Sequence, residues 1–169
     1  MDDTRKPVQY RELLRALVSE RVEFIVVGGV AAVLEGVPVS TFDLDIVYSR
    51  RETNLDRLAR ALDDLEAIYV DPGGRRIAPT TDRLRGGGHH LLRTRFGRLD
   101  VLGSVGEGMG FDDLLPDSRP RSIHGLIVAV LALEALIKTK EGANRPKDRA
   151  VLDLLRQTLA EREGNNNPS

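Results

Sequence analysis

Apolar residues recur along this chain in two rhythms, one helical and one extended. Over residues 9–21, Leu13, Leu14, Leu17 and Val18 fall on one side of a 3.6-residue period with charges elsewhere, which predicts an amphipathic helix. Residues 22–27 form a short apolar, β-branched run that ends at Gly28 and Gly29, the pattern of a buried strand. Residues 30–35 have the length and composition of a short helix closed by Gly36, and residues 37–40 read as a loop. Over residues 41–48, Asp43 and Asp45 alternate with Phe42, Leu44 and Ile46, as in a half-buried strand. Residues 52–65 return to helical spacing through Leu55, Leu58, Leu62 and Leu65.

The patterning then weakens. Asp71 to Gly74 and the triplet Gly86, Gly87 and Gly88 are turn signals around a stretch with no clear period. Residues 90–96, Gly97 and residues 98–102 predict strand, turn and strand, the second strand carrying Asp100. Residues 103–110 hold four glycines and predict a loop. Residues 122–123 and 126–130 read as extended and 131–139 as helical. Pro146 disfavours helix at the residue before it and suits the opening of a last helix over 147–163, with Val151, Leu154, Leu155 and Leu159 inward. Residues 164–169 read as a frayed tail. With no internal repeat and no long linker, a single domain over residues 1–163 is expected.

Composition narrows the chemistry. The 169 residues include no cysteine, which removes thiolate zinc sites, disulfide scaffolds and cysteine nucleophiles together. The longest apolar runs, residues 24–27 and 126–133, are far short of the roughly 20 residues of a membrane span. No signal-peptide core follows the charged residues 1–6, so a cytoplasmic protein without membrane partners is expected. The formal net charge of -1 argues against bulk electrostatic binding of nucleic acid. Its distribution is uneven, however: residues 75–98 carry seven arginines and one acid, Asp82. That stretch reads either as a solvated face or as a guide for an anionic acceptor such as RNA.

The segment richest in chemistry is Gly28 and Gly29 followed by Asp43 and Asp45. In a strand, residues i and i+2 share a face, so the two carboxylates stand roughly 6–7 Å apart along the chain. Such a pair repels itself unless a cation intervenes, and Mg²⁺ is commonly held by one or two carboxylates together with substrate phosphates. Asp100, flanked by apolar Leu99 and Val101, can supply a third carboxylate to the same centre. The glycine pair leaves backbone N–H groups open to a phosphate, although it matches neither GxGxxG nor the GxxxxGK[ST] loop.

Five blocks in order carry a family resemblance: residues 27–32 (VGGVAA), 36–38 (GVP), 41–46 (TFDLDI), 96–102 (FGRLDVL) and 136–148 (LIKTK…RPKD). Together they resemble the minimal nucleotidyltransferases of the DNA polymerase beta superfamily, most closely the bacterial abortive-infection toxin nucleotidyltransferases, over roughly residues 10–160. The resemblance implies an α/β (α+β) fold, a mixed β-sheet flanked by helices with the C-terminal helices packed against it. It implies Asp43, Asp45 and Asp100 as catalytic and Mg²⁺- or Mn²⁺-binding carboxylates, with Asp100 helping to activate the incoming hydroxyl. Gly28, Gly29, Thr41, Lys140, Arg145 and Lys147 would bind nucleotide, with Asp148 in the same C-terminal motif. The implied activity moves an NMP from an NTP to a hydroxyl on RNA, tRNA or protein, in a toxin paired with an antitoxin. Where similar sequences often carry an arginine after Gly-x-Pro, this chain has Val39 and Ser40. A non-catalytic nucleotide-binding module of the same fold is the alternative that this departure motivates.

The remaining polar features have plainer readings. His89 and His90 are adjacent and would face opposite ways on a strand, so they are expected at a loop edge rather than on a metal. His124 reads as structural. Ser104 and Ser122 lack the context of a nucleophile elbow.

Overall fold

The computed structural model describes residues 7–143 and 145–166, the side chain of Lys147 excepted. The chain runs α1 (Tyr10–Ser19), β1 (Phe24–Val27), α2 (Gly28–Leu34), β2 (Asp43–Tyr48), α3 (Glu52–Asp64), β3 (Ile68–Tyr69), α4 (Thr81–Arg85), β4 (His89–Thr94), β5 (Gly97–Leu102), α5 (Phe111–Leu114), β6 (Ser118–Ile123), β7 (Leu126–Leu131), α6 (Leu133–Ala143) and α7 (Arg149–Asn165). Short 3₁₀ turns at Leu115–Asp117 and Pro146–Asp148 lead into β6 and α7. Among the described residues no helix is long and apolar enough to cross a membrane.

The seven strands form one mixed sheet in the order β3-β4-β5-β2-β1-β7-β6. β2 is parallel to β5, and β1 is parallel to β7, while the other neighbours are antiparallel. β1 is buried along its whole length, which is why its four residues are uniformly apolar. Alternation in β2 and β5 turns Leu44, Ile46, Leu99 and Val101 into the core and leaves Asp43, Asp45 and Asp100 on the opposite face. Tyr48, on the Leu44 side of β2, donates a hydrogen bond to the carbonyl of Leu84 in α4, so α4 and the helices stacked with it, α3 and α1, cover that face.

Local reasons for the elements follow the sequence closely. Leu13, Leu14 and Leu17 of α1 and Leu55, Leu58 and Leu62 of α3 are fully or almost fully buried. Asn54 is nearly fully buried because its side chain closes three backbone bonds, to Glu23 N, Glu23 O and Ser49 O, at the ends of β1 and β2. Pro120 is tolerated within β6 because that strand lies at the sheet edge.

Several expectations are corrected. α2 begins at Gly28 itself, so the glycine pair forms the first turn of the helix instead of preceding it. Phe42 does not enter β2 and is 76% exposed. Only Leu155 of the four apolar positions expected inward on α7 is fully buried; Val151, Leu154 and Leu159 are half-buried against the core. α7 continues to Asn165, two residues into the segment expected to fray, and residues 167–169 of that segment lie outside the described residues. β3, α4 and α5 were not visible in the hydrophobic pattern, each being two to five residues long.

Candidate active site

Strand pairing assembles the carboxylates. The parallel register of β2 and β5 sets Asp45 directly beside Asp100, and Asp43 beside Arg98. Carboxylate oxygens of Asp43, Asp45 and Asp100 lie within 4.8 Å of one another. Burial, and then the charge of Asp43, push the Asp45 carboxyl above the usual range. Burial also raises Asp100, reinforced by a hydrogen bond with Asp43 and the charges of Asp45 and Asp43. Oδ1 of Asp100 is buried and accepts no hydrogen bond. Arg98 approaches that oxygen only to 3.7 Å, beyond hydrogen-bond reach.

This donor set fits a divalent cation. It offers three convergent oxygens, one with no protein partner, in a cluster whose mutual repulsion a +2 ion would cancel. Hard oxygen donors without histidine or cysteine suit Mg²⁺ or Mn²⁺ better than zinc.

The glycine pair is built around the same cluster. Gly28 has φ +65, and a Cβ there would stand 2.1 Å from Oδ2 of Asp45, so no side chain fits between α2 and the carboxylate. A Cβ on Gly29 would meet the Thr41 side chain at 2.9 Å. Thr41 in turn donates its hydroxyl to the Asp43 carbonyl at 3.0 Å and receives a bond from Tyr10 at 3.3 Å. Thr41 therefore fixes the entry to β2, whereas Gly28 opens space at its second carboxylate.

A cleft of about 330 Å³ runs from Gly28 and Asp45 to Lys140 and Arg145, passing Leu102, Ser104 and Thr139. The two cations are shared with Asp148, which accepts from Lys140 at 3.1 Å and from Arg145 at 2.8 Å. Asp148 is buried at the foot of α7. Burial alone would raise its carboxyl, but the two cationic donors hold it below its ordinary value. Expected only as a member of the C-terminal motif, this acid is the anchor of both basic side chains. The Lys147 side chain, expected among the nucleotide contacts, lies outside the described residues.

The arginine-rich stretch is not one basic surface. Arg75 binds Asp71, Arg85 binds Glu52 and Asp82, Arg83 lies over the Tyr69 ring and Arg95 over Phe96. Arg93 and Arg98 lie opposite each other on the carboxylate face. His90 is not a loop-edge residue but a buried strand residue, bonded to Tyr69 and to the Gly87 carbonyl, each at 2.7 Å. His124 does sit at a hairpin turn, with φ 50 between β6 and β7. The buried Glu35, which sequence reasoning did not single out, joins the end of α2 to Arg121 of β6 and Arg162 of α7 at 2.7 and 2.8 Å.

Three solved structures are similar to this chain in fold: a nucleotidyltransferase candidate from Thermotoga maritima, TM1012 (TM-score 0.52, 19% identity, covering 93% of this chain and 98% of that one); the lincosamide antibiotic adenylyltransferase LnuA with lincomycin bound (0.58, 14%, 90% and 99%); and ANT(2")-Ia in complex with adenylyl-2"-tobramycin (0.57, 16%, 90% and 89%). The chain has the nucleotidyltransferase fold. No protein-family model and no curated protein sequence matches it.

Proposed function

We propose that the chain is a metal-dependent nucleotidyltransferase that moves an NMP from an NTP to a hydroxyl acceptor. The observation that carries this reading is the convergence of Asp43, Asp45 and Asp100 beside a cleft that ends in Lys140 and Arg145. Asp43, Asp45 and Asp100 would hold the divalent ion, which when bound neutralises phosphate charge and acidifies a nearby hydroxyl. Gly28 lets the triphosphate approach the carboxylates, and Lys140 and Arg145, held in place by Asp148, receive its phosphates. The acceptor oxygen bonds to the α-phosphorus, the bond to the bridging oxygen breaks, and its electron pair leaves with pyrophosphate. The acceptor's proton passes to Asp100.

LnuA and ANT(2")-Ia extend the acceptors worth testing to antibiotics. RNA, tRNA or protein acceptors, the toxin role and an antitoxin partner rest on the sequence resemblance. Incubation with Mg²⁺ or Mn²⁺, α-labelled NTPs and total tRNA, cell lysate, lincomycin or tobramycin tests the reading. Label should move to an acceptor and fail to move with Asp43→Ala or Asp45→Ala. Wild-type transfer by either variant, or none by the wild type, refutes it. The non-catalytic alternative, motivated by Val39 and Ser40, gains if NTP and metal bind without transfer to any acceptor.

A further inference from the structure

The sheet face that carries the carboxylates is covered on one side only. α6 meets it over Val27, Asp45 and Leu102, where they share the cleft. Past Asp100 the same face continues across β4 and β3. The register sets Leu91 beside Asp100, and the amide of Val70 donates to the Leu91 carbonyl at 2.9 Å, which puts Val70 next in that row. Leu91 and Val70 are 43% and 40% exposed. The adjoining row reads Asp43, Arg98, Arg93 and Ile68. An aliphatic pair and an arginine pair therefore lie side by side, immediately flanking the acids on the side away from Lys140.

Arg98 pairs with Asp100 through charge alone, without a hydrogen bond. Their closest approach is 3.7 Å, and Nε of Arg98 is buried without an acceptor. A guanidinium offers a planar fork of donors that matches a phosphate through paired bonds.

We propose that this surface receives the acceptor, and that the acceptor is an organic phosphate. Its hydroxyl lies at Asp100, its phosphate on the row of Arg98 and Arg93, and its apolar side on Leu91 and Val70. The inference rests on the nucleotidyltransferase reading and deepens it by naming the substrate class. A polyamine such as tobramycin would bring ammonium groups against Arg98 and Arg93, so the surface disfavours the kind of acceptor found with ANT(2")-Ia. In the transfer, the acceptor's hydroxyl oxygen bonds to the α-phosphorus, pyrophosphate leaves with the electron pair of the broken bond, and the hydroxyl proton goes to Asp100. The acceptor's own phosphate is unchanged.

The test separates the two levels. Calorimetry with α,β-methylene ATP and Mg²⁺ comes first, and absence of binding overturns the nucleotidyltransferase reading together with this inference. With the cleft saturated by that analogue, UMP, glucose 6-phosphate, a 5′-phosphorylated RNA trinucleotide, lincomycin and tobramycin are titrated in turn, and the same compounds are offered in the transfer assay. At least one phosphate compound should bind and be labelled, the trinucleotide pointing to an RNA end and the others to a small acceptor. Arg98→Ala should weaken that binding about tenfold or more, as expected for one lost charge-assisted contact, with Arg98→Lys recovering part of it. The affinity for the ATP analogue should change much less. Failure of every phosphate compound to bind overturns the proposal while leaving the nucleotidyltransferase reading intact. So does preferential labelling of tobramycin or lincomycin, or unchanged phosphate binding by Arg98→Ala. Equal loss of analogue and acceptor binding also overturns it, because Arg98 would then act through the carboxylates.

Discussion

Asp100→Asn should make the metal-free protein more stable while abolishing transfer. Three carboxylates whose oxygens lie within 4.8 Å of one another repel when ionised. At that distance and an effective dielectric constant near 20, each pair costs about 3 kcal/mol. Asparagine keeps the shape of the side chain but cannot ionise, so one substitution relieves two of the three contacts. Wild type escapes part of the cost by retaining a proton, which leaves an expected gain of about 1–3 kcal/mol at pH 8. The sign follows from the folded-state shift. Burial, the Asp43 hydrogen bond and the neighbouring acids push Asp100 up to about 8, and burial and Asp43 push Asp45 up to about 6. The unfolded chain releases these protons first, from about pH 4, so folded stability falls as pH rises from there through the folded values. The advantage of Asp100→Asn should therefore be small at pH 4.5 and largest at pH 8. Urea unfolding followed by circular dichroism measures it directly, and melting temperature should rise by roughly 2–4 °C per kcal/mol at this chain length. Mg²⁺ should stabilise wild type and close most of the gap. A variant that is less stable at pH 8, a gain independent of pH, or equal stabilisation of both proteins by Mg²⁺ would refute the reasoning.

Gly28→Ala forces a Cβ to within 2.1 Å of Asp45 at a left-handed backbone position; it should cost about 1–3 kcal/mol in denaturant unfolding and lower Mg²⁺ affinity in calorimetry. Glu35→Gln should destabilise by about 2–4 kcal/mol, because Arg121 and Arg162 lose their shared carboxylate. Burial raises the Glu35 carboxyl, but the bonds from Arg162 and Arg121 outweigh it and leave it below 4.5; its contribution should be present above pH 4.5 and fall away as pH drops through the lowered value, visible as a smaller wild-type-to-variant gap in acid. Asp148→Ala should weaken binding of an NTP analogue despite removing a negative charge, since Lys140 and Arg145 lose their common anchor; tighter binding in calorimetry would show that Asp148 merely competes with phosphate.

Much of the candidate site was legible before the fold because its signals are local. Asp43 and Asp45 share a face by strand alternation alone, and the end of an apolar run at Gly28 marks where the backbone must turn. Asp100 could be proposed from its apolar flanks, but its place beside Asp45 depends on the parallel register of β2 and β5, strands separated by more than forty residues. The arginine stretch is even in sequence but divided in space. Sequence proximity does not reveal that Arg85 turns to Glu52, and Arg75 to Asp71, while Arg98 shares a row with Asp43. Glu35 was overlooked because a lone acid before a helix-ending glycine looks solvated, and its two partners lie 86 and 127 residues away. His90 is buried for a similar reason: Tyr69 and Gly87 come together around it only when β3 pairs with β4.

The bond between Arg162 and Glu35 also bears on the order in which the chain can mature in a cell. β1 gains its parallel neighbour only when residues near Ala129 have been synthesised, and α2 is clamped only once Arg162 has emerged. A nascent chain that ends before Arg121 carries an open edge on β1 and a Glu35 that has gained neither of its arginine partners. The three clustered carboxylates are all complete by residue 100, long before the segment that closes the structure around them. If the proposed function holds, nucleotide binding should be withheld from ribosome-bound intermediates and arise late, when α6 and α7 dock, so that transfer is coupled to completion of the fold.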